Sequence, residues 1–516
     1  MTASHALAQH ALIERRAFLQ RAVFAALAAG GAGPLLAACS SGSETARVSG
    51  TTAPGGGTPA PDPLPALDAS RPWWMQGGFA PVDEEVEAFD LPVRGSLPPE
   101  LRGLYVRNGS NPASGDSSHW FLGDGMVHGV RLTDGTAAWY RNRYVDTPLY
   151  RTGSGLLGDG PPGGERNQSN VSVFHHAGKL LGSGEIGLPY EVSVDDLATV
   201  GPYDFGGALT TSMTAHPKID PVTGDLHFFG YGFVPPYLTY HVADATGALV
   251  HSTEIEVAGP TMIHDFAITD RDAVFWELPV IFDMELALAA VDGDASGGMP
   301  FRWEESYGGR VGVLPLGADA SQIRWVEVPP CYVFHGVNAH REGDDVVVDV
   351  CRMPTMFRAG GDIGTSVPHR WRIGTAGESL TFREDALSDE SMDLPWLDRR
   401  HVGRPNRHSW FLLTGAEGDW PVEFQGMVRT DATTGEVDRY EPGPGERVNE
   451  GTFVPSTPDS GEGEGWLLSY AWNRARDASD LLVFEALDLA SGPIARVELP
   501  ARVPYGFHGT WVPDVR

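Results

Sequence analysis

Lysine is almost absent from this chain. Lys179 and Lys218 are the only two in 516 residues, and the formal charge is −31 at neutral pH. So acidic a surface argues against nucleic acid or a bare anionic lipid face as a partner, and it also serves solubility. Cysteine is nearly as scarce, limited to Cys39, Cys331 and Cys351. An exported protein could pair the last two as a disulfide. Two buried thiols fit equally well, because Cys351 closes a strand-like run, and neither receives a role. Helix-like periodicity is sparse, Phe282–Val291 being the clearest instance, and no clean internal repeat is found.

What the chain has in quantity is glycine (64), proline (40) and a 41% apolar content. Together they favour a large core built from many short strands and turns. From Pro72 onward, apolar or alternating runs recur between turn signals such as Asp134-Gly135 and Thr434-Gly435-Glu436. Leu104–Arg107, Val127–Leu132, Leu226–Tyr231, Ala273–Leu278, Val346–Val350 and Leu481–Ala486 are examples. The pattern predicts an all-β sandwich, barrel or propeller. Residues 72–516 accommodate seven blades of roughly 60 residues, somewhat above the usual repeat period.

The N-terminus reads as an address and not as fold. Arg15-Arg16-Ala17-Phe18-Leu19 resembles a twin-arginine export signal, and an apolar stretch from Ala22 to Ala38 follows it. The stretch ends Leu36-Ala37-Ala38-Cys39, similar to the lipobox of a bacterial lipoprotein. The expectation is a signal at 1–38, a lipid-modified Cys39, and a Ser/Thr/Gly/Pro/Ala-rich tether over 39–71. Such a chain would be exported and held at the outer side of the cytoplasmic membrane or in the cell envelope by its lipid, with an apolar rim as a further contact. An uncleaved membrane anchor is the alternative, although the run is Gly-interrupted and short for a span.

Four histidines stand in short, apolar, turn-rich contexts: His216, His264, His335 and His508. They are too far apart for a local metal-finger spacing. Gathered by one fold, they would form an all-imidazole site suited to iron, copper, nickel or zinc. Pattern alone does not choose these four from the other histidines of the chain.

The choice comes from a resemblance. Gly103-Leu104-Tyr105-Val106-Arg107-Asn108-Gly109, Gly123-Asp124-Gly125-Met126-Val127-His128 and Ala215-His216-Pro217-Lys218-Ile219-Asp220-Pro221 occur in order. Ile263-His264-Asp265-Phe266, Phe334-His335-Gly336-Val337-Asn338-Ala339 and Val503-Pro504-Tyr505-Gly506-Phe507-His508-Gly509 follow. Taken together, they resemble the carotenoid cleavage oxygenases over nearly the whole of 72–516. The resemblance implies a seven-bladed propeller, with a helical or loop cap over the metal face and Fe(II) on the axis held by His216, His264, His335 and His508. It places Glu185 and Glu450 behind two of those imidazoles. Asp393 stands where a third glutamate would be; one methylene shorter, it needs a closer backbone or a bridging water. It also puts Val171, an apolar blocker, beside the metal's open side. Phe121, Tyr144, Tyr231, Phe233, Tyr237 and Phe507 lie near the motifs and are candidate walls of an apolar tunnel.

The expected activity is Fe(II)-dependent oxidative cleavage of a conjugated C=C bond. A carotenoid or apocarotenoid and O2 would be consumed and two carbonyl products released. The alternative within the family is a stilbene-type phenolic. Its cleavers carry a phenol-binding lysine just before the first glutamate, where this chain has Gly184. A non-catalytic surface propeller is the alternative from another class, opposed by the complete histidine set. Zinc hydrolysis is opposed because such sites keep three protein ligands and an open water.

Overall fold

The structure, a computed structural model, describes residue 68 and residues 70–152, 168–291, 299–358, 364–415 and 424–514. The expected signal at 1–38, Cys39 and the tether, apart from Asp68, Ser70 and Arg71, lie outside the described residues. No helix among the described residues is long and apolar enough to cross a membrane.

Seven antiparallel sheets follow one another along the chain as the blades of a propeller. Blade two runs from Ser172–His176 outward, blade three from Lys218–Ile219, and blade four from Ala267–Ile268. Blades five, six and seven start from Tyr332–Glu342, Met392–Leu397 and Thr452–Pro455. Blade one closes the ring: the C-terminal strand Gly509–Pro513 pairs with Gly103–Ser110 as its innermost strand. At the other end of the chain, Val93–Gly95 adds an outer strand to blade seven by pairing with Ala495–Glu498. The two ends of the described chain thus stitch blades one and seven together.

Burial follows from this stacking. Middle strands face a neighbouring blade on each side, so they are apolar almost throughout. Gly465–Asn473 and Ala478–Glu485 are buried along nearly their whole length, whereas the outer Leu249–Ile255 alternates. Between blades one and seven, Tyr105, Tyr470, Leu481 and Val497 interlock. Blade four carries an insertion of a strand pair, Val280–Phe282 with Phe301–Trp303, around the helix Met284–Val291. From this insertion Met299 and Phe301 reach the space beside His264, His335 and His508. Cys331 and Cys351 are both free and buried, and burial pushes the Cys331 thiol up to about 12.

Candidate metal centre

The starts of the innermost strands are where the chemistry collects. His508 precedes Gly509–Pro513, His216 precedes Lys218–Ile219, His264 precedes Ala267–Ile268, and His335 lies inside Tyr332–Glu342. Asp393 lies inside Met392–Leu397, and Glu450 stands just before Thr452–Pro455. Blade two puts Val171 at the same place, with Glu185 beyond its next strand, Lys179–Ser183.

Local irregularity aims several of these groups. The register of Tyr332–Glu342 slips between Val333 and Gly336 and again between Gly336 and Asn338, flanking His335. That of Met392–Leu397 slips between Asp393 and Trp396, with Leu394 at φ 51°. Such bulges re-aim a side chain at the rim of a sheet. At His508 the approach is made by glycine: a Cβ on Gly506 would stand 2.8 Å from the Gly109 Cα, so only a bare backbone fits. Asp265 ties three blades together. Its carboxylate accepts from Lys218 Nζ at 2.7 Å and from the Gly336 N–H at 2.8 Å.

The ligand atoms of His216, His264, His335 and His508 all lie within 4.8 Å of one another. The Nε2 atoms of His216 and His264 face each other at 2.9 Å. Behind them, His335 Nδ1 donates to Asp393 Oδ1 at 2.7 Å and His508 Nδ1 to Glu450 Oε1 at 2.7 Å. His264 Nδ1 donates to Glu185, whose other oxygen accepts from the Tyr231 hydroxyl. With Nδ1 protonated, each of these rings turns an Nε2 lone pair inward. Burial drives the His216 pKa far down, aided by its three histidine neighbours. Burial also lowers that of His335, against the pull of Asp393. Burial would raise the Asp393 carboxyl. His335 and the hydrogen bonds from Ser366 and the Leu394 N–H outweigh it, so the net shift is downward. His216 and His335 are therefore held as neutral imidazole at neutral pH, the form that binds metal.

A transition metal fits this donor set. His335 Nε2 is buried without a hydrogen-bond partner among the described residues, an orphan that a metal would satisfy. Four imidazoles suit iron, and no carboxylate takes a place in the ligand set itself.

An apolar cavity opens onto His264, His335 and His508. Of the tunnel candidates, Val171, Phe121, Tyr231 and Phe507 line it. Three others do not. Tyr144 accepts from Asn111 at 2.6 Å and stacks on Tyr150, away from the axis. Phe233 packs behind the wall, stacked on Phe282 at 4.3 Å and edge-on to Phe301. Tyr237 packs against the same core. Proximity in sequence to a motif misplaced these three: Tyr144 ends the strand Thr136–Tyr144, and Phe233 and Tyr237 lie in the turn between Leu226–Tyr231 and Leu238–Ala243. The walls that sequence did not single out come from loops and strand ends: Trp120, Ile186, Met262, Phe301, Phe334 and Phe424. Their only advance signal was the abundance of aromatic residues, which the core shares.

Residues 79–513 match the family model described as retinal pigment epithelial membrane protein. A carotenoid cleavage oxygenase of Mycobacterium tuberculosis is 37% identical over 87% of this chain and 99% of its own length. A carotenoid 9,10(9',10')-cleavage dioxygenase 1 of Phaseolus vulgaris is 33% identical, covering 87% of this chain and 91% of its own. Among solved structures, the lignostilbene dioxygenase of Pseudomonas brassicacearum superposes with a TM-score of 0.77 at 28% identity. That match covers 86% of this chain and 98% of the other.

Proposed function

This chain belongs to the retinal pigment epithelial membrane protein family, that of the carotenoid cleavage oxygenases, and from that membership we propose that it cleaves a conjugated double bond of a carotenoid or apocarotenoid. It is an Fe(II)-dependent dioxygenase. The observation that carries the reading is the convergence of four imidazoles beside an apolar cavity.

His216, His264, His335 and His508 would hold the iron. Bound there, Fe(II) supplies the redox chemistry with dioxygen that ends with both oxygen atoms in two carbonyl products. The chain's own residues do the rest. Glu185, Asp393 and Glu450 keep a proton on Nδ1 of three rings and fix their orientation. Trp120, Phe121, Phe334 and Phe507 form an aromatic wall, with Phe334 edge-on to His264 at 4.9 Å. That wall excludes water and orients a rigid polyene. Val171 presents methyl groups and no hydroxyl to the same space.

Mass spectrometry of products formed under labelled dioxygen tests the reading. An iron-loaded sample should convert a carotenoid or apocarotenoid into two carbonyl compounds, each carrying label. Substrate recovered intact would count against it. The likeness to lignostilbene dioxygenase makes a hydroxystilbene the second substrate to compare. Gly184, in place of a phenol-binding lysine, favours slower turnover there.

Export and anchoring through Cys39 form part of the same proposal, supported by Arg15-Arg16 and the Leu36-Ala37-Ala38-Cys39 sequence. Cys39→Ser should move the protein from the membrane fraction to the soluble fraction of the producing cell. Unchanged fractionation would refute the anchor.

A further inference from the structure

We infer that the metal centre has a second, polar entrance, and that the guanidinium of Arg399 restrains metal exchange through it. The inference rests on the metal-centre reading above. His264 borders the apolar cavity alone, whereas His216 borders only a different space; His335 and His508 border both. His216 is also the one histidine of the four that is not fully buried. The second space is lined by Lys218, Asp265, Asn338, Glu450 and Arg399 among others, and it meets solvent at the exposed Pro221 and Arg399. A dication crossing the predominantly apolar cavity would lose its hydration with few polar groups to replace it. The second space also has apolar stretches, but it offers more oxygen and nitrogen partners, Lys218, Asp265, Asn338 and Glu450 among them. Metal traffic therefore belongs on the His216 side, and the apolar cavity is left to the substrate.

The charges in this passage are mostly cancelled. Lys218 pairs with Asp265 at 2.7 Å, and Arg400 pairs with Asp398. Arg399 differs, having no carboxylate at ion-pair distance among the described residues. Its Nη1 donates to Thr510 Oγ1 at 3.0 Å, and its guanidinium lies over the Trp396 ring, 4.2 Å from the centroid. Thr510 is on the strand that directly follows His508. The bond therefore fixes a positive charge where the passage meets solvent, on the side of the strand that leads from His508. Surrounding protein lowers the Arg399 pKa to about 10, against the opposing effect of Glu450, so it remains a cation at neutral pH. A fixed cation there repels a dication moving in either direction, raising the barrier to both uptake and loss.

The test uses full-length protein loaded with Co(II), whose visible absorption reports histidine ligation. Release to a hydrophilic chelator and re-uptake by the stripped protein are followed in time. Arg399→Gln should speed both on the order of tenfold, and Arg399→Lys, which keeps the charge, should stay near the native rates. Equal rates for Arg399→Gln and the native protein would overturn the proposal. A saturated long-chain alcohol filling the apolar cavity should leave release unchanged; slowed release would place the metal route in that cavity and overturn it as well. A native protein that takes up no Co(II) at all would instead sink the metal-centre reading on which the inference rests.

Discussion

Replacing His335 by alanine is expected to leave a folded chain that holds no iron and turns over no substrate. His335 ends in a buried Nε2 with no partner among the described residues, and its Nδ1 is fixed on Asp393. Removing the ring deletes a ligand and leaves Asp393 still bonded to Ser366 Oγ at 2.7 Å, so the blade-six strand keeps a tie. Stability separates this outcome from simple misfolding. Binding to the folded state adds RT ln(1 + [L]/Kd), about 2.7 kcal/mol at a hundredfold excess over Kd. Added Fe(II) should therefore raise the native unfolding midpoint and leave that of His335→Ala unmoved. The native centre should also keep its metal below the ordinary imidazole range. Burial lowers His216 and His335, so protons displace the metal only at more acidic pH. Metal analysis beside thermal unfolding across pH checks both statements.

The propeller was legible in its middle strands for a physical reason. Runs such as Leu226–Tyr231 are buried on both faces, and continuous apolar sequence is the mark of that environment. Inner strands as short as Lys218–Ile219 and Ala267–Ile268 leave no periodicity to read. Nor does any local pattern tell Gly509–Pro513 to join Gly103–Ser110, more than four hundred residues earlier. The site divides in the same way. Motif resemblance singled out the four histidines; spacing could not. Asp393 presented two options, a closer backbone or a bridging water. The direct 2.7 Å bond to His335 shows the first, made by the bulge between Asp393 and Trp396 and the left-handed Leu394. The cavity walls were the least legible part. They are assembled from loops of several blades, and a Phe that lines a cavity has the same letter as one that fills a core. Arg107 lies within the Gly103–Gly109 motif, but nothing in the sequence assigns it a load.

That load makes Arg107→Met the substitution expected to cost most in stability. Arg107 is 1% exposed, sits opposite Gly509 in the blade-one sheet, and has no carboxylate at ion-pair distance among the described residues. Its guanidinium donates to Asn449 Oδ1 at 2.6 Å and to the Pro504 carbonyl, while its Nε finds no partner among the described residues. Burial lowers its pKa, opposed by Tyr105, Tyr470 and Glu450, yet a guanidinium stays protonated in a protein. Asn449 adjoins Glu450, the carboxylate that accepts from His508 Nδ1 and from the Gly509 N–H. Arg107 thus places a positive charge near Glu450, whose carboxylate opposes the effect of burial on the guanidinium. Methionine fills similar volume but leaves two acceptors without donors and removes the buried positive charge bonded to Asn449, beside Glu450. Breaking a buried charged arrangement from one side costs about 3–5 kcal/mol, against a typical total of about 5–15 kcal/mol. Denaturant unfolding of metal-free protein measures the loss. If the charge on Glu450 is the reason, Glu450→Gln should make Arg107→Met less harmful, with a coupling of about 0.5–3 kcal/mol. Strict additivity of the two substitutions would show that Arg107 serves only Asn449 and Pro504.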